Sequence, residues 1–256
     1  LVALQAVRAI GAATALGACA LAGEVRPAIA GPPYVTDDPD PTAYRDWEIY
    51  TGLQYENDGG GNVAASLPFA ELNYGALPNV QVSATIPVTD IGVQPGEFRR
   101  YGSGGIDFGV KARFVQESEK RPQISFYPSM QTPTAGLTEH TVTFLPIWMQ
   151  KSWGAWTAFG GGGLYLNPGL DQKNYAFFGG TLERAISPGT TIGAELFHQG
   201  SSVLGLPGTT ASNVGAIFQV GTTHAILFSL GGAYSGLDRF SAYASYEYRL
   251  APRASR

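Results

Sequence analysis

The stretch "DWEIYTGLQYE", Asp46–Glu56, separates into two chemistries when every second residue is taken. One set is Trp47, Ile49, Thr51, Leu53 and Tyr55. The other is Asp46, Glu48, Tyr50, Gly52, Gln54 and Glu56. A period of two is a strand period, because successive side chains on a strand point to opposite faces. In a soluble sheet the apolar face would meet a protein core. In a membrane barrel it would meet lipid, and the polar face would line a lumen.

The same rhythm recurs along the chain. In "GIDFGVKARFV", Gly105–Val115, the set Ile106, Phe108, Val110, Ala112 and Phe114 opposes Asp107, Gly109, Lys111 and Arg113. "VQVSATIPV", from Val80 to Val88, and "FSAYASYEYRL", from Phe240 to Leu250, repeat it. Weaker segments fall near 63–74, 123–132, 141–150, 155–166, 174–185, 190–198, 212–220 and 225–232, so about twelve strands are predicted. In 141–150 and 174–185 both faces carry apolar groups, and the pattern assigns no register. Within "FGGGGLYL", Phe159–Leu166, the glycines permit sharp curvature or close approach of another backbone.

The connections alternate in length. Tight turns are predicted at 75–79, 116–122, 151–154, 187–190 and 221–224. Longer stretches lie between them, above all 90–105 and 199–211. Short turns on one rim and longer loops on the other are the outer-membrane arrangement, with the turns periplasmic.

Composition agrees. Of 256 residues only 14% are charged, against about 25% in an ordinary globular chain. Glycine reaches 34 residues and aromatics 12%, while no apolar run beyond the N-terminus is long enough for a transmembrane helix. The net charge of -4 and the lack of a basic run argue against nucleic acid as a partner. At the N-terminus, Arg8, an apolar stretch and "AIAG" (28–31) read as a signal peptide over residues 1–30. A rival reading takes "LGAC", Leu16–Cys19, as a lipoprotein box with Cys19 acylated. Cys19 is the only cysteine, so no disulfide forms within one chain. Residues 31–45 are rich in proline and aspartate and form an extended arm, since proline cannot donate to a sheet ladder. The barrel is expected over 46–250, with a short tail at 251–256.

A soluble sandwich or lipocalin-like barrel is the competing fold. Strands of about ten residues suit a tilted bilayer crossing, whereas soluble strands average five or six. Charges in mid-strand, such as Asp107, Lys111 and Arg113, would be costly in a dry core. Trp47, Tyr55, Tyr246 and Tyr248 lie near strand ends, where aromatic girdles meet headgroups. We therefore expect an all-β, closed antiparallel transmembrane barrel in the bacterial outer membrane.

No catalytic constellation is legible. His140 and His198 fall toward one rim and His224 toward the other, so no Ser-His-Asp set can be argued. Glu195 and His198 are three apart and point to opposite faces of a strand. The glycines at 160–163 precede no Lys-Ser or Lys-Thr and form no phosphate loop. No enzyme activity, cofactor or metal is expected. A rim-active hydrolase stands as the least favoured alternative.

Several of these stretches resemble a known family. "GPPYVTDDPDPTAYRDWEIY" (31–50), "LPFAELNYGALPNVQVSATIPV" (67–88), "GIDFGVKARF", "PQISFYPSMQTPTAG" and "LPIWMQKSWGAWTAFGGGG" look like segments of the outer-membrane transporter family named for the MetA pathway of phenol degradation. The resemblance implies a porin-like channel admitting small hydrophobic or aromatic compounds. By analogy with fatty-acid transporters, the arm would close the pore, with Pro32, Pro33, Tyr34, Asp37 and Asp38 as plug candidates. From strand parity the expected lumen lining is Glu48, Glu71, Asn73, Asp107, Lys111, Arg113, Glu195, Glu247 and Arg249, its mixed charges pairing across the lumen. The expected partners are outer-membrane lipid, small hydrophobic molecules and, during biogenesis, the barrel-assembly machinery. The alternative is a structural or partner-binding barrel acting through its outer loops.

Overall fold

The computed structural model of the chain describes residues 32–57, 63–92, 100–103, 105–132, 140–235 and 240–251. The leader over 1–30 lies outside them, as does all but the first residue of the tail. Among the described residues every regular element is a strand. The first five are β1 (Trp47–Asn57), β2 (Val63–Leu77), β3 (Val80–Gly92), β4 (Arg100–Ser103) and β5 (Ile106–Val115). Then come β6 (Gln123–Phe126), β7 (Ser129–Thr132), β8 (Val142–Trp153), β9 (Trp156–Leu166) and β10 (Tyr175–Ser187). The last four are β11 (Thr190–Gln199), β12 (Thr209–Val220), β13 (His224–Ser235) and β14 (Phe240–Leu250).

All pairings between strands are antiparallel, and β1 closes the sheet against β14 with Trp47 opposite Leu250 and Asn57 opposite Phe240. The wall has twelve strands. β6 and β7 are two halves of one of them, broken at Pro128, and both pair with β5 and β8. The additional short strand, β4, continues the ladder along the upper part of β3 beyond β5. Among the described residues closure leaves the twelve-strand wall no open edge, which hydrocarbon would not tolerate.

Two sequence expectations change. The stretch 90–105 is not all loop: β3 runs on to Gly92 and β4 follows, because Val88–Ile91 finds a second partner in Arg100–Ser103. The connection after β11 is shorter than 199–211, spanning 200–208.

Side chains alternate in exposure most clearly on β10. On β10, Phe177, Thr181 and Glu183 are buried while Phe178, Leu182 and Ile186 are exposed. The exposed set across the wall is apolar: Val110, Ile147, Leu182, Val214, Phe228 and Leu230 are typical. A soluble chain would hide this belt, since contiguous apolar surface on a water-exposed protein is small. Aromatic and histidine rings flank it. At the turn rim Trp47 lies 4.6 Å from Tyr74, His224 stacks 5.0 Å from Tyr248, and the Arg184 guanidinium sits 5.1 Å over Trp156. Toward the other rim Phe178 stacks on His198 at 5.2 Å. These are the amphipathic groups that headgroup regions select.

Candidate functional site

The register of β8 and β10, which the sequence left open, is settled by what lies inside. Phe144 and Trp148 on β8 and Phe177 on β10 all point inward, and buried Phe197 on β11 packs with Trp148 and Phe177. The inner face is therefore apolar over this quadrant, and it cancels the contrast with the lipid face.

The chain from Pro32 to Thr42 lies inside the barrel. It is held at four places. Near its start, Ser229 Oγ donates to the Pro33 carbonyl at 2.6 Å. Next, the Glu195 carboxylate accepts the backbone N–H of Val35 at 3.2 Å and that of Thr36, while Asn213 Nδ2 donates to it at 2.6 Å. A carboxylate taking successive backbone N–H groups is a strong, charge-assisted clip. Further on, Lys111 Nζ sits 3.1 Å from Asp37 and 3.8 Å from Asp38, and Arg113 pairs with Asp40. Beyond Asp40, Gln81 Oε1 accepts the Thr42 N–H at 2.8 Å. The arm then leaves across Gly75, whose carbonyl accepts the Arg45 N–H at 2.7 Å.

Glycines make the room. A Cβ on Gly179 of β10 would lie 2.1 Å from Thr36 Oγ1, and one on Gly193 of β11 would lie 2.5 Å from the Tyr34 hydroxyl. On Gly215 of β12 it would meet Pro33 and Tyr34 at 3.0 Å. Three neighbouring strands thus offer a bare backbone bed on the inner face.

Because the arm lies against β10–β12, space remains on the opposite side. Two cavities flank it, and Pro32, Asp37, Glu71 and Tyr127 line both. The one toward the turn rim has a volume of about 450 Å³ and includes Asp38, Glu48, Tyr50 and Lys111. The one toward the loop rim has about 480 Å³ and includes Asp107, Gln131, Phe144, Trp148, Tyr165 and Tyr175.

Of the nine residues expected at the lumen, Asn73, Lys111, Glu195 and Glu247 are buried. The nine do not act as one set. Lys111 and Arg113 pair with the arm rather than across the lumen. Arg249 pairs with Glu247 on its own strand, at 2.5 Å. Glu195 belongs to the clip. Glu48 accepts from Thr42 at 3.0 Å, and Asn73 donates to Glu71 at 2.9 Å. Among the described residues Asp107 takes only a long contact of 3.4 Å from Gln131. The expectation of cross-lumen pairing fails because the arm's aspartates stand nearer to the two cations than the far wall does. Sequence reading also missed Glu183, fully buried on β10, whose carboxylate has no hydrogen-bond partner among the described residues. An inward Glu183 beside an outward Arg184 gave that strand no legible polar face.

Among the described residues no group of three or more His, Cys, Asp or Glu is placed to hold a metal. His140 bonds Asn167 at 2.8 Å and His198 bonds Thr210 at 2.9 Å, each within its own rim.

The arm carries a titrating group. Burial pushes the Asp38 carboxyl up to about 7; Lys111 opposes the rise, and Asp37 and Asp40 add to it. Glu183 also faces it. The unperturbed value is 3.8, so the seated arm holds this proton more tightly than a released arm would. Seating is thus favoured at acid pH and weakens as pH rises from about 4 to about 7. Bilayer conductance should climb through that window and level off above it. Asp38→Asn should flatten the profile; an unchanged profile in that variant would show that another group controls it.

No family model matches the chain, and no curated protein matches it. Solved structures do. The chain is similar to an outer membrane channel from Pseudomonas putida F1 with a TM-score of 0.66 at 14% identity, covering 82% of this chain and 96% of that one. The KdgM porin, solved in complex with disordered oligogalacturonate, gives 0.55 at 9% identity, covering 79% and 99%. The translocator domain of the autotransporter NalP from Neisseria meningitidis gives 0.53 at 13%, covering 80% and 88%. The shared property is the fold. With the apolar belt and closed wall, it makes this chain an outer-membrane β-barrel. Channel, porin and autotransporter-translocator barrels all share this fold.

Proposed function

We propose that the protein is an outer-membrane channel whose lumen is narrowed by its own arm, and that it admits small hydrophobic or aromatic molecules. The carrying observation is the pair of cavities that pass beside the seated arm, one lined by stacked rings. An adhesive barrel would not need an interior of this kind. The residual path is acidic. Among the described residues Lys111 is the only cation lining either cavity, whereas Asp37, Asp38, Asp40, Glu48, Glu71 and Glu117 line the one near the turn rim. Neutral and cationic solutes should therefore pass more readily than anions. The resemblance to the phenol-degradation transporter family supports the aromatic substrate class, and the plug role of Pro32–Asp38 rests on the contacts described above.

Reconstituted in planar bilayers under a salt gradient, the full chain should show small conductance steps with a reversal potential on the cation-selective side. Liposomes should take up benzyl alcohol faster with the protein than without it. Absence of both conductance and uptake, with and without the arm, would count against a channel. The partner-binding alternative predicts instead that replacing 200–208 abolishes binding and leaves permeability unchanged.

A further inference from the structure

The cavity toward the loop rim has a composition that hydrophobic uptake does not require. Its wall is a stair of rings: Tyr175 stacks on Tyr165 at 4.5 Å and 12°, and Tyr165 on Phe144 at 3.9 Å and 7°. Trp148 closes the stair edge-on to Phe144 at 6.2 Å. Facing the rings are three carboxylates, Asp37, Glu71 and Asp107, and among the described residues no lysine or arginine lines this cavity. Asp37 is neutralised by Lys111 reaching in from the neighbouring cavity. Among the described residues Asp107 has no cation within salt-bridge distance, and its side chain takes only the weak contact from Gln131.

The protein already stations an ammonium group in such a setting. Lys111 Nζ lies 5.0 Å over the Tyr127 ring and 3.1 Å from Asp37, at the junction of the two cavities. Ring face and carboxylate together are what an organic cation seeks. Around Asp107 the carboxylate and rings recur without the ammonium.

We propose that this cavity binds small aromatic ammonium compounds, the flat ring continuing the Phe144–Tyr165–Tyr175 stack and the charged nitrogen facing Asp107. A volume of about 480 Å³ falls in the usual range for small-molecule pockets. An anion would meet three carboxylates there, and the nearby Lys111 is already paired with Asp37. A ring without charge leaves Asp107 unpaired, and a charge without a ring leaves the stair bare. The inference deepens the channel reading, since the site lies on the path past the arm.

The test uses the purified full chain in detergent, where binding is read without any flux. Fluorescence of Trp148, in the cavity wall, would report titration with benzyltrimethylammonium, benzyl alcohol, tetramethylammonium or benzenesulfonate. Benzyltrimethylammonium should saturate and bind at least about tenfold tighter than each of the other three, the size expected of one partly desolvated cation contact. Asp107→Asn should remove that advantage while heat-modifiable gel mobility stays unchanged. Tyr165→Leu should weaken benzyltrimethylammonium and leave tetramethylammonium unaltered. Equal affinity for benzyl alcohol, saturable benzenesulfonate binding, no saturation by benzyltrimethylammonium, or an Asp107→Asn variant that binds as the parent does would each overturn the site. Conductance that persists without benzyltrimethylammonium binding would sink only this proposal; binding without conductance would sink only the channel.

Discussion

Gly179→Val should open the barrel, while Gly180→Val, one residue along, should not. The two glycines sit on opposite faces of β10. A Cβ at 179 meets Thr36 Oγ1 at 2.1 Å and Phe197 Cβ at 3.0 Å, whereas at 180 its nearest neighbour is a carbonyl oxygen 3.9 Å away. Something must shift at 179. The wall is held by continuous ladders to β9 and β11, and the arm by a handful of contacts, so the arm yields. Its departure leaves the two N–H groups of Val35 and Thr36 without the Glu195 carboxylate, but in water rather than buried. Single-channel conductance of Gly179→Val should rise severalfold, to the level of a chain lacking residues 32–45, and Gly180→Val should match the parent. Glu195→Ala should act in the same direction. With the arm still seated it would leave the Thr36 N–H buried and unpaired, at a cost of about 1–3 kcal/mol that favours the released state. Equal conductance in the parent, Gly179→Val and the arm-deleted chain would show that the arm does not limit passage.

The second large effect is on the outer face. Val214 and Leu230 are exposed near the middle of β12 and β13, opposite one another. In lipid, Val214→Arg or Leu230→Arg should destabilise the folded barrel by about 2–4 kcal/mol, whereas Val220→Arg at the end of β12 should cost about 0–1 kcal/mol. Equilibrium refolding from guanidinium into vesicles, scored by gel mobility, measures the difference. A flat cost along the strand would mean that this face does not cross hydrocarbon.

The wall was legible in the sequence because most of its strands separate two solvents. In β5, Phe108, Val110 and Phe114 meet lipid while Asp107, Lys111 and Arg113 meet the interior, and the period of two needs nothing more. Contrast disappears where the interior is itself apolar. Phe177 inside and Phe178 outside are the same residue, so β10 carried no register, and Glu183 stayed hidden beside Arg184. The seat of the arm is non-local in the same sense. Asp37 meets Lys111 some 74 positions away, and Thr36 meets Glu195 at a separation of 159. Gly179, Gly193 and Gly215 form a bed only because three strands align. Proline and aspartate marked the arm as extended and acidic; the cations it would find depended on closure of the barrel.

The central claim is that the arm lies within a hydrated barrel against the inner face of β10. The closeness that would expel the arm from a valine lets two thiols bond when Thr36 and Gly179 are both replaced by cysteine. In a chain also carrying Cys19→Ser, mild oxidation of Thr36→Cys with Gly179→Cys in outer membranes should give an intramolecular disulfide, seen as a reducible change in gel mobility. The pair Thr36→Cys with Gly180→Cys should give none. Cross-linking in neither pair, or equally in both, would contradict an arm seated inside the wall.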